Sequence, residues 1–172
     1  EDPTLNASGV LDFGNGVPSD NIAVMFAGTS GTMRYEVYRG TSGRQLIETS
    51  KVFPAKSWTR VTVTHTTAKQ ATIYWSGAAQ TVVAYGGASL SADKKSATVQ
   101  LPKEVTRKYN YIGKSNWASD ALFKGKMTNL RIWNKAVTLA QITASTTLVP
   151  PAFSAAAGVD ECSTGNGGCT HN

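Results

Sequence analysis

Cleavage of a glycosidic bond with retention needs two carboxyl groups about 5 Å apart, one to donate a proton and one to attack. On a strand, that spacing calls for acids at alternate positions, which share a face. The acidic residues are Glu1, Asp2, Asp12, Asp20, Glu36, Glu48, Asp93, Glu104, Asp120, Asp160 and Glu161, and no expected strand carries two. His65 and His171 are far apart in sequence, and neither a Gly-x-Ser-x-Gly elbow nor a His cluster of metal-ligand spacing occurs. The chain is therefore read as a non-enzyme, with glycoside hydrolysis kept as a remote alternative.

Two other groups of residues could bind rather than react. Asp12, Asn15, Asp20 and Asn21 are oxygen donors around a glycine-containing loop, which is the chemistry calcium prefers. The same residues are also ordinary turn formers, because Asn and Asp side chains bond nearby backbone. Sugar recognition needs aromatic rings to stack on pyranose faces and amides or carboxylates to meet hydroxyls. The stretch Ser115-Asn116-Trp117-Ala118-Ser119-Asp120 offers this set, with Asn116, Trp117 and Asp120 as the candidate glycan-binding residues. A covering role for Trp117 over a sheet edge is the alternative, while Trp58, Trp75 and Trp133 are read as packing residues.

Strands must position these groups. Runs rich in Val, Thr, Tyr and Ile predict strands at 22–27, 33–39, 46–52, 58–65, 70–76, 80–85, 97–101, 108–113 and 123–133. Met33, Tyr35 and Val37 alternate with Arg34, Glu36 and Tyr38, and Val61 and Val63 with Arg60, Thr62 and Thr64, so each strand is expected to have one buried and one wet face. Val61, Val63, Ile73, Leu130 and Ile132 are expected to share one core between two stacked antiparallel sheets. Thr138, with Gln141 three residues later, has the spacing of a capping box and predicts one short helical turn.

The order Tyr111-Ile112-Gly113, a polar loop, Phe123-Lys124-Gly125-Lys126 and a short terminal helix resembles the C-terminal part of laminin G-like, concanavalin A-like domains. Trp58 to His65 is similar to that family's central strand, and Ala71 to Gly77 to its partner strand, with Ser76 where an Asp is usual. Leu11 to Gly16, followed by Asp20-Asn21-Ile22, is similar to a microbial branch. The resemblance implies an all-β fold, a two-sheet antiparallel jelly-roll β-sandwich over residues 1–148. It also implies calcium at a sheet rim, held by Asp12, Asn15, Asp20 and Asn21. Relatives carry one or two strands before the segment matching Leu11, so an open edge near Leu5 to Phe13 is expected to pair with another copy.

Val149-Pro150-Pro151 opens an Ala-rich stretch, and 149–158 reads as a linker because proline stiffens the chain and cannot donate to a ladder. Beyond it, Asp160-Glu161-Cys162 and Gly168-Cys169 resemble the start of an EGF-like module at 159–172, which makes the whole chain look like an excerpt of a longer polypeptide. That likeness implies that Cys162 and Cys169 pair with cysteines beyond this chain. It also offers Glu161 as a calcium ligand, although Gly158 stands where calcium-binding members have a ligating side chain. Disulfide-dependent modules belong to oxidising compartments, which places the protein outside the cell or on its surface. There Asn6-Ala7-Ser8 becomes a candidate glycosylation site at Asn6.

Seventeen Lys and Arg against eleven Asp and Glu give a net charge of +6, which could attract polyanions. The basic residues are scattered and carry no nucleic-acid motif, so no nucleic acid is expected, and no run is apolar enough for membrane insertion. The expected function is that of a structural or adhesive module of a larger extracellular protein, forming a filament with other copies or meeting neighbouring modules. The alternative is a lectin-like module for acidic or neutral polysaccharide.

Overall fold

The computed structural model describes residues 7–144. The linker at 149–158, the cysteine-bearing stretch at 159–172 with Glu161, Cys162 and Cys169, and the Asn6 side chain lie outside the described residues. In order the elements are β1 (Gly9–Gly14), β2 (Ile22–Phe26), β3 (Thr32–Arg39), β4 (Gly43–Val52), β5 (Val61–His65) and β6 (Gln70–Trp75). There follow β7 (Ala78–Ala79), β8 (Val82–Tyr85), β9 (Ser89–Leu90), β10 (Ala97–Thr98), β11 (Tyr109–Ile112) and one helix, α1 (Leu139–Ala144). One sheet has six strands in the order β11-β1-β2-β3-β4-β8, and the other runs β5-β6-β10-β9 with β7 added beside β6. Every pairing is antiparallel. The expected β-sandwich is the fold found.

Side-chain alternation explains where the core lies. Val24 and Phe26 on β2, Met33, Tyr35 and Val37 on β3, and Ile47 on β4 meet Ala71 and Ile73 on β6, with Ala97 and Val99 from the β10 side. Phe26 packs edge-on against Phe53 at 5.3 Å and stacks on Phe123 at 6.3 Å, while Phe53 meets Trp75 edge-on at 5.4 Å. A polar link through His65 crosses the sandwich. Because the Val99 carbonyl can only accept, His65 Nε2 donates to it at 3.1 Å and Nδ1 accepts from the Tyr35 hydroxyl at 2.9 Å. Burial holds His65 below its ordinary value, which suits that neutral ring.

Local signals act as expected at two places. Thr138 N donates to Gln141 Oε1 at 2.8 Å, and Gln141 N donates back to Thr138 Oγ1 at 3.3 Å, so the capping box opens α1. Ser76 and Gly77 both have positive φ, 48° and 88°, as the tight turn from β6 into β7 requires.

Three expectations are corrected. The segment 123–133 is not a strand: Phe123 reaches the core, but Leu130 and Ile132 are 48% and 67% exposed, and Trp133, expected to pack, is 49% exposed. Asn129 adopts a left-handed φ of 54°, which interrupts the extended run, and among the described residues the segment pairs with no strand. Glu36, expected on a wet face, is only 2% exposed. β1 is no open edge either, since it pairs with β11 on one side and β2 on the other. Among the described residues the open edges are β8 and β11 of one sheet and β5, β7 and β9 of the other. Val61 and Val63 are partly buried and pack against the core, which Ile73 joins fully.

Burial sets the scale of a test. Phe26→Ala should lower the unfolding free energy by about 3–5 kcal/mol, through lost transfer energy and a cavity. Ile132→Ser should change it by less than about 0.5 kcal/mol, since an exposed side chain loses little. Urea titration of both variants checks the pair, and a large loss from Ile132→Ser would place that residue in the core after all.

Candidate functional site

The outer face of the six-stranded sheet carries a concentrated set of charges. Strand register puts Tyr111, Asp12, Ala23, Glu36, Leu46 and Tyr85 in one transverse row across β11, β1, β2, β3, β4 and β8. Ala23, with only a methyl side chain, lies between the two acids. Beside that row, Arg34 lies opposite Glu48 and Tyr38 opposite Arg44.

Arginine compensates the central acid. Arg44 grips Glu36 Oε2 through Nη2 at 2.6 Å and Nε at 3.1 Å, and Arg34 Nη1 lies 4.0 Å from the same oxygen. Arg34 also binds Glu48 Oε2 through Nη2 at 3.0 Å, and Thr32 Oγ1 donates to Glu48 Oε1 at 2.6 Å. Burial raises the Glu36 carboxyl above its ordinary value despite the opposing pull of Arg44 and Arg34, and nearby Asp12 adds to the rise. The Arg44 guanidinium also sits 5.7 Å from the centre of the Tyr38 ring.

Asp12 is compensated by amides instead. Asn21 Nδ2 donates to its Oδ1 at 2.9 Å, and the Asn116 backbone N–H donates to its Oδ2 at 2.8 Å. The second bond anchors the loop after β11. Within that loop Ser115 Oγ donates to Asp120 Oδ2 at 2.6 Å, Trp117 N donates to Ser115 Oγ at 2.9 Å, and Asn116 Nδ2 donates to the Tyr109 carbonyl at 3.2 Å. The Trp117 ring lies 5.5 Å from that of Tyr38, tilted by 40°. Burial raises the Asp120 carboxyl, the Ser115 bond opposes, and Asp12 adds a smaller rise.

The structure thus joins residues that chemistry alone had assigned to separate sites. Asn116, Trp117 and Asp120 form one loop, tied to Asp12 and through it to Asn21. The other two proposed calcium ligands serve different contacts: Asn15 Oδ1 accepts from Lys108 N at 3.0 Å, and Asp20 Oδ1 from Gly40 N at 2.6 Å. Asn21 Oδ1 accepts from Ser19 N at 2.7 Å. Each of the four residues therefore has an oxygen already engaged by the protein, and among the described residues no three His, Cys, Asp or Glu side chains gather in one place. Arg34, Glu36, Arg44 and Glu48 were missed as a group. Their only sequence signal is equal parity on two strands joined by a short turn.

The chain matches a known family. Residues 4–143 match the profile of the concanavalin A-like lectin/glucanases superfamily, and the chain belongs to that family. No curated protein matches it. Among solved structures, the chain is similar to residues 221–444 of an S-layer domain-containing protein from Clostridium thermocellum, with 20% identity over 83% of this chain and a TM-score of 0.39. The match spans 64% of that structure's length. Among the described residues no helix is long and apolar enough to cross a membrane.

The compensation can be tested through stability. Asp12→Ala strands the Asn21 amide and the Asn116 N–H in the interior, and should cost about 2–4 kcal/mol by chemical denaturation. Glu36 gives a pH signature. Its folded value is raised, so as pH falls from about 7 toward the carboxylate range the native state takes up that proton before the unfolded chain does. The stability of the wild type relative to Glu36→Gln, which has no proton to take up, should therefore increase as pH falls. A difference that shrinks would mean the arginines outweigh burial.

Proposed function

We propose that this chain is a non-catalytic, structural or adhesive module of an extracellular protein, with the outer face of the six-stranded sheet as its recognition surface. The observation that carries this reading is the state of the carboxylates on that face. Glu36 and Glu48 are held by arginine, Asp12 by two amides and Asp120 by a serine hydroxyl. A hydrolase needs one carboxyl free to protonate a leaving group and a second beside it, both open to substrate. Glu36, nearly inaccessible and gripped by Arg44, serves neither role. The extracellular part of the proposal rests on the likeness to laminin G-like modules.

A second reading, carbohydrate binding, is favoured by one feature. Tyr38, Trp117 and half-exposed Tyr109 put three rings on the same sheet face, with Asn116 and Asp120 beside them. Aromatic rings of this kind offer stacking surfaces for sugars.

Incubation with laminarin or xylan should release no reducing ends, and wild type and Glu36→Gln should behave alike. Hydrolysis by the wild type that Glu36→Gln abolishes overturns the non-catalytic proposal. For the carbohydrate reading, Trp117→Ala should weaken retention on immobilised polysaccharide by about tenfold, the scale of one lost stacking contact, and leave the thermal midpoint nearly unchanged. A wild type retained by no polysaccharide removes that reading.

A further inference from the structure

We propose that His65 is an acid-released latch between the two sheets, closed while its ring is neutral and opened when both ring nitrogens carry a proton. This goes beyond the binding readings above and does not rest on them.

The bonds at the ring run in one direction only. His65 ends β5 in the five-stranded sheet and Tyr35 lies within β3 of the six-stranded one, their rings edge to face with centroids 5.6 Å apart. Nε2 must donate, because the Val99 carbonyl has no hydrogen to give, so Nδ1 keeps its lone pair for the Tyr35 hydroxyl. Val99, just past β10, is itself tied to the turn after β5, its N–H donating to the Lys69 carbonyl at 2.8 Å. One ring thus joins β3, the β5–β6 turn and the chain leaving β10.

A proton on Nδ1 breaks this order, because the imidazolium N–H then faces the Tyr35 O–H and both are donors. Tyr35 is 5% exposed, and among the described residues its hydroxyl has no acceptor but His65. Burial pushes that hydroxyl well above its ordinary range, so it does not ionise to receive the proton. The surroundings offer no counter-charge either. β6 places Ala71 opposite His65, and Lys69 and Val99 meet the ring only through backbone carbonyls. Arg107, from the loop before β11, acts on Tyr35 as a positive charge, and is held by the Asp20 carbonyl at 2.8 Å and drawn by the Asp20 carboxylate. It adds a cation on the far side of Tyr35. No charged side chain among the described residues acts on the His65 ring itself, and burial holds the ring below its ordinary value. A cation kept there unpaired is costly, so the proton is accommodated by parting His65 from Tyr35 and turning the ring to water.

The released ring titrates near the ordinary value of about 6.5, and the latched ring lower. Above about pH 6.5 neither form gains by taking a proton. As pH falls below that, the released form takes its proton first and gains up to about tenfold per pH unit, until the latched ring titrates as well.

The test follows the full 172-residue chain by NMR and amide hydrogen exchange from about pH 7.5 to about pH 4.5, a span that brackets ordinary histidine titration. The reference is His65→Gln, whose side chain offers one acceptor and one donor as the neutral ring does and takes up no proton. Glu36 and Asp120, whose carboxyls are also raised, are present in both proteins and cancel. Relative to His65→Gln, the Val99 amide of the wild type should lose protection by up to about tenfold per pH unit below about 6.5, and should exchange faster than the Phe26 amide in the core. Tyr35→Phe should raise the midpoint of the His65 ring titration, because the hydroxyl bonds only the neutral ring, whereas burial alone predicts no rise.

A His65 midpoint at or above about 6.5 overturns the latch, as does a midpoint that Tyr35→Phe leaves in place or lowers. So does a Val99 protection that follows the same pH course in wild type and His65→Gln. Equal protection of Val99 and Phe26 throughout the acid range would mean that the proton is taken only on global unfolding, which also removes the latch. Should His65→Gln fail to fold, the ring titrations of the wild type and Tyr35→Phe decide alone.

Discussion

A carboxylate with no access to water must find its donors inside the protein, and Asp12 finds them in two distant connections. Its Oδ1 takes the Asn21 amide from the turn before β2, and its Oδ2 takes the backbone N–H of Asn116, 104 residues further along. Leaving a buried charge unmet costs far more than either bond contributes, so both connections are obliged to close over β1. The placement of the loop after β11 follows from that obligation. With Asn116 fixed, Ser115 can reach Asp120, and Trp117 can lie against Tyr38. Asp12 is in this sense the point where two halves of the outer face are fastened.

Glu36 faces the same constraint two strands away and meets it with guanidinium groups. The two solutions differ in consequence. Amide donors hold Asp12 in the interior, whereas Arg44 reaches Glu36 from a partly exposed position and also lies by the Tyr38 ring. A cationic partner at the rim and a neutral one in the interior give the face a graded polarity.

What could be read from the chain was mostly what is decided over a few residues. The capping box at Thr138 and Gln141, the Ser76–Gly77 turn and the alternation at Met33, Tyr35 and Val37 depend on local geometry, and all three appear in the fold. The grouping of Arg34, Glu36, Arg44 and Glu48 depends on how β3 lies against β4. A register slip of one residue would send Glu36 into the core and Val37 outward, so no single strand announces the cluster. Leu130 and Ile132 show the opposite failure. Their alternation is real, but a strand exists only against a partner, and Asn129 turns the backbone away between Met127 and Leu130. Asp12 and Asn116 looked like members of a cation site and a sugar site because each residue type suits that chemistry alone. Their hydrogen bond, invisible without the fold, makes them parts of one assembly.

Gly14 ends β1 beside Asn21, and a Cβ at Gly14 would fall within the Asn21 carboxamide. That amide cannot withdraw, because it holds Asp12 on one side and Ser19 on the other. The absence of a single carbon is therefore what admits the whole arrangement. Any side chain at 14 would displace the amide at 21, and with it one of the two donors that meet the acid at 12.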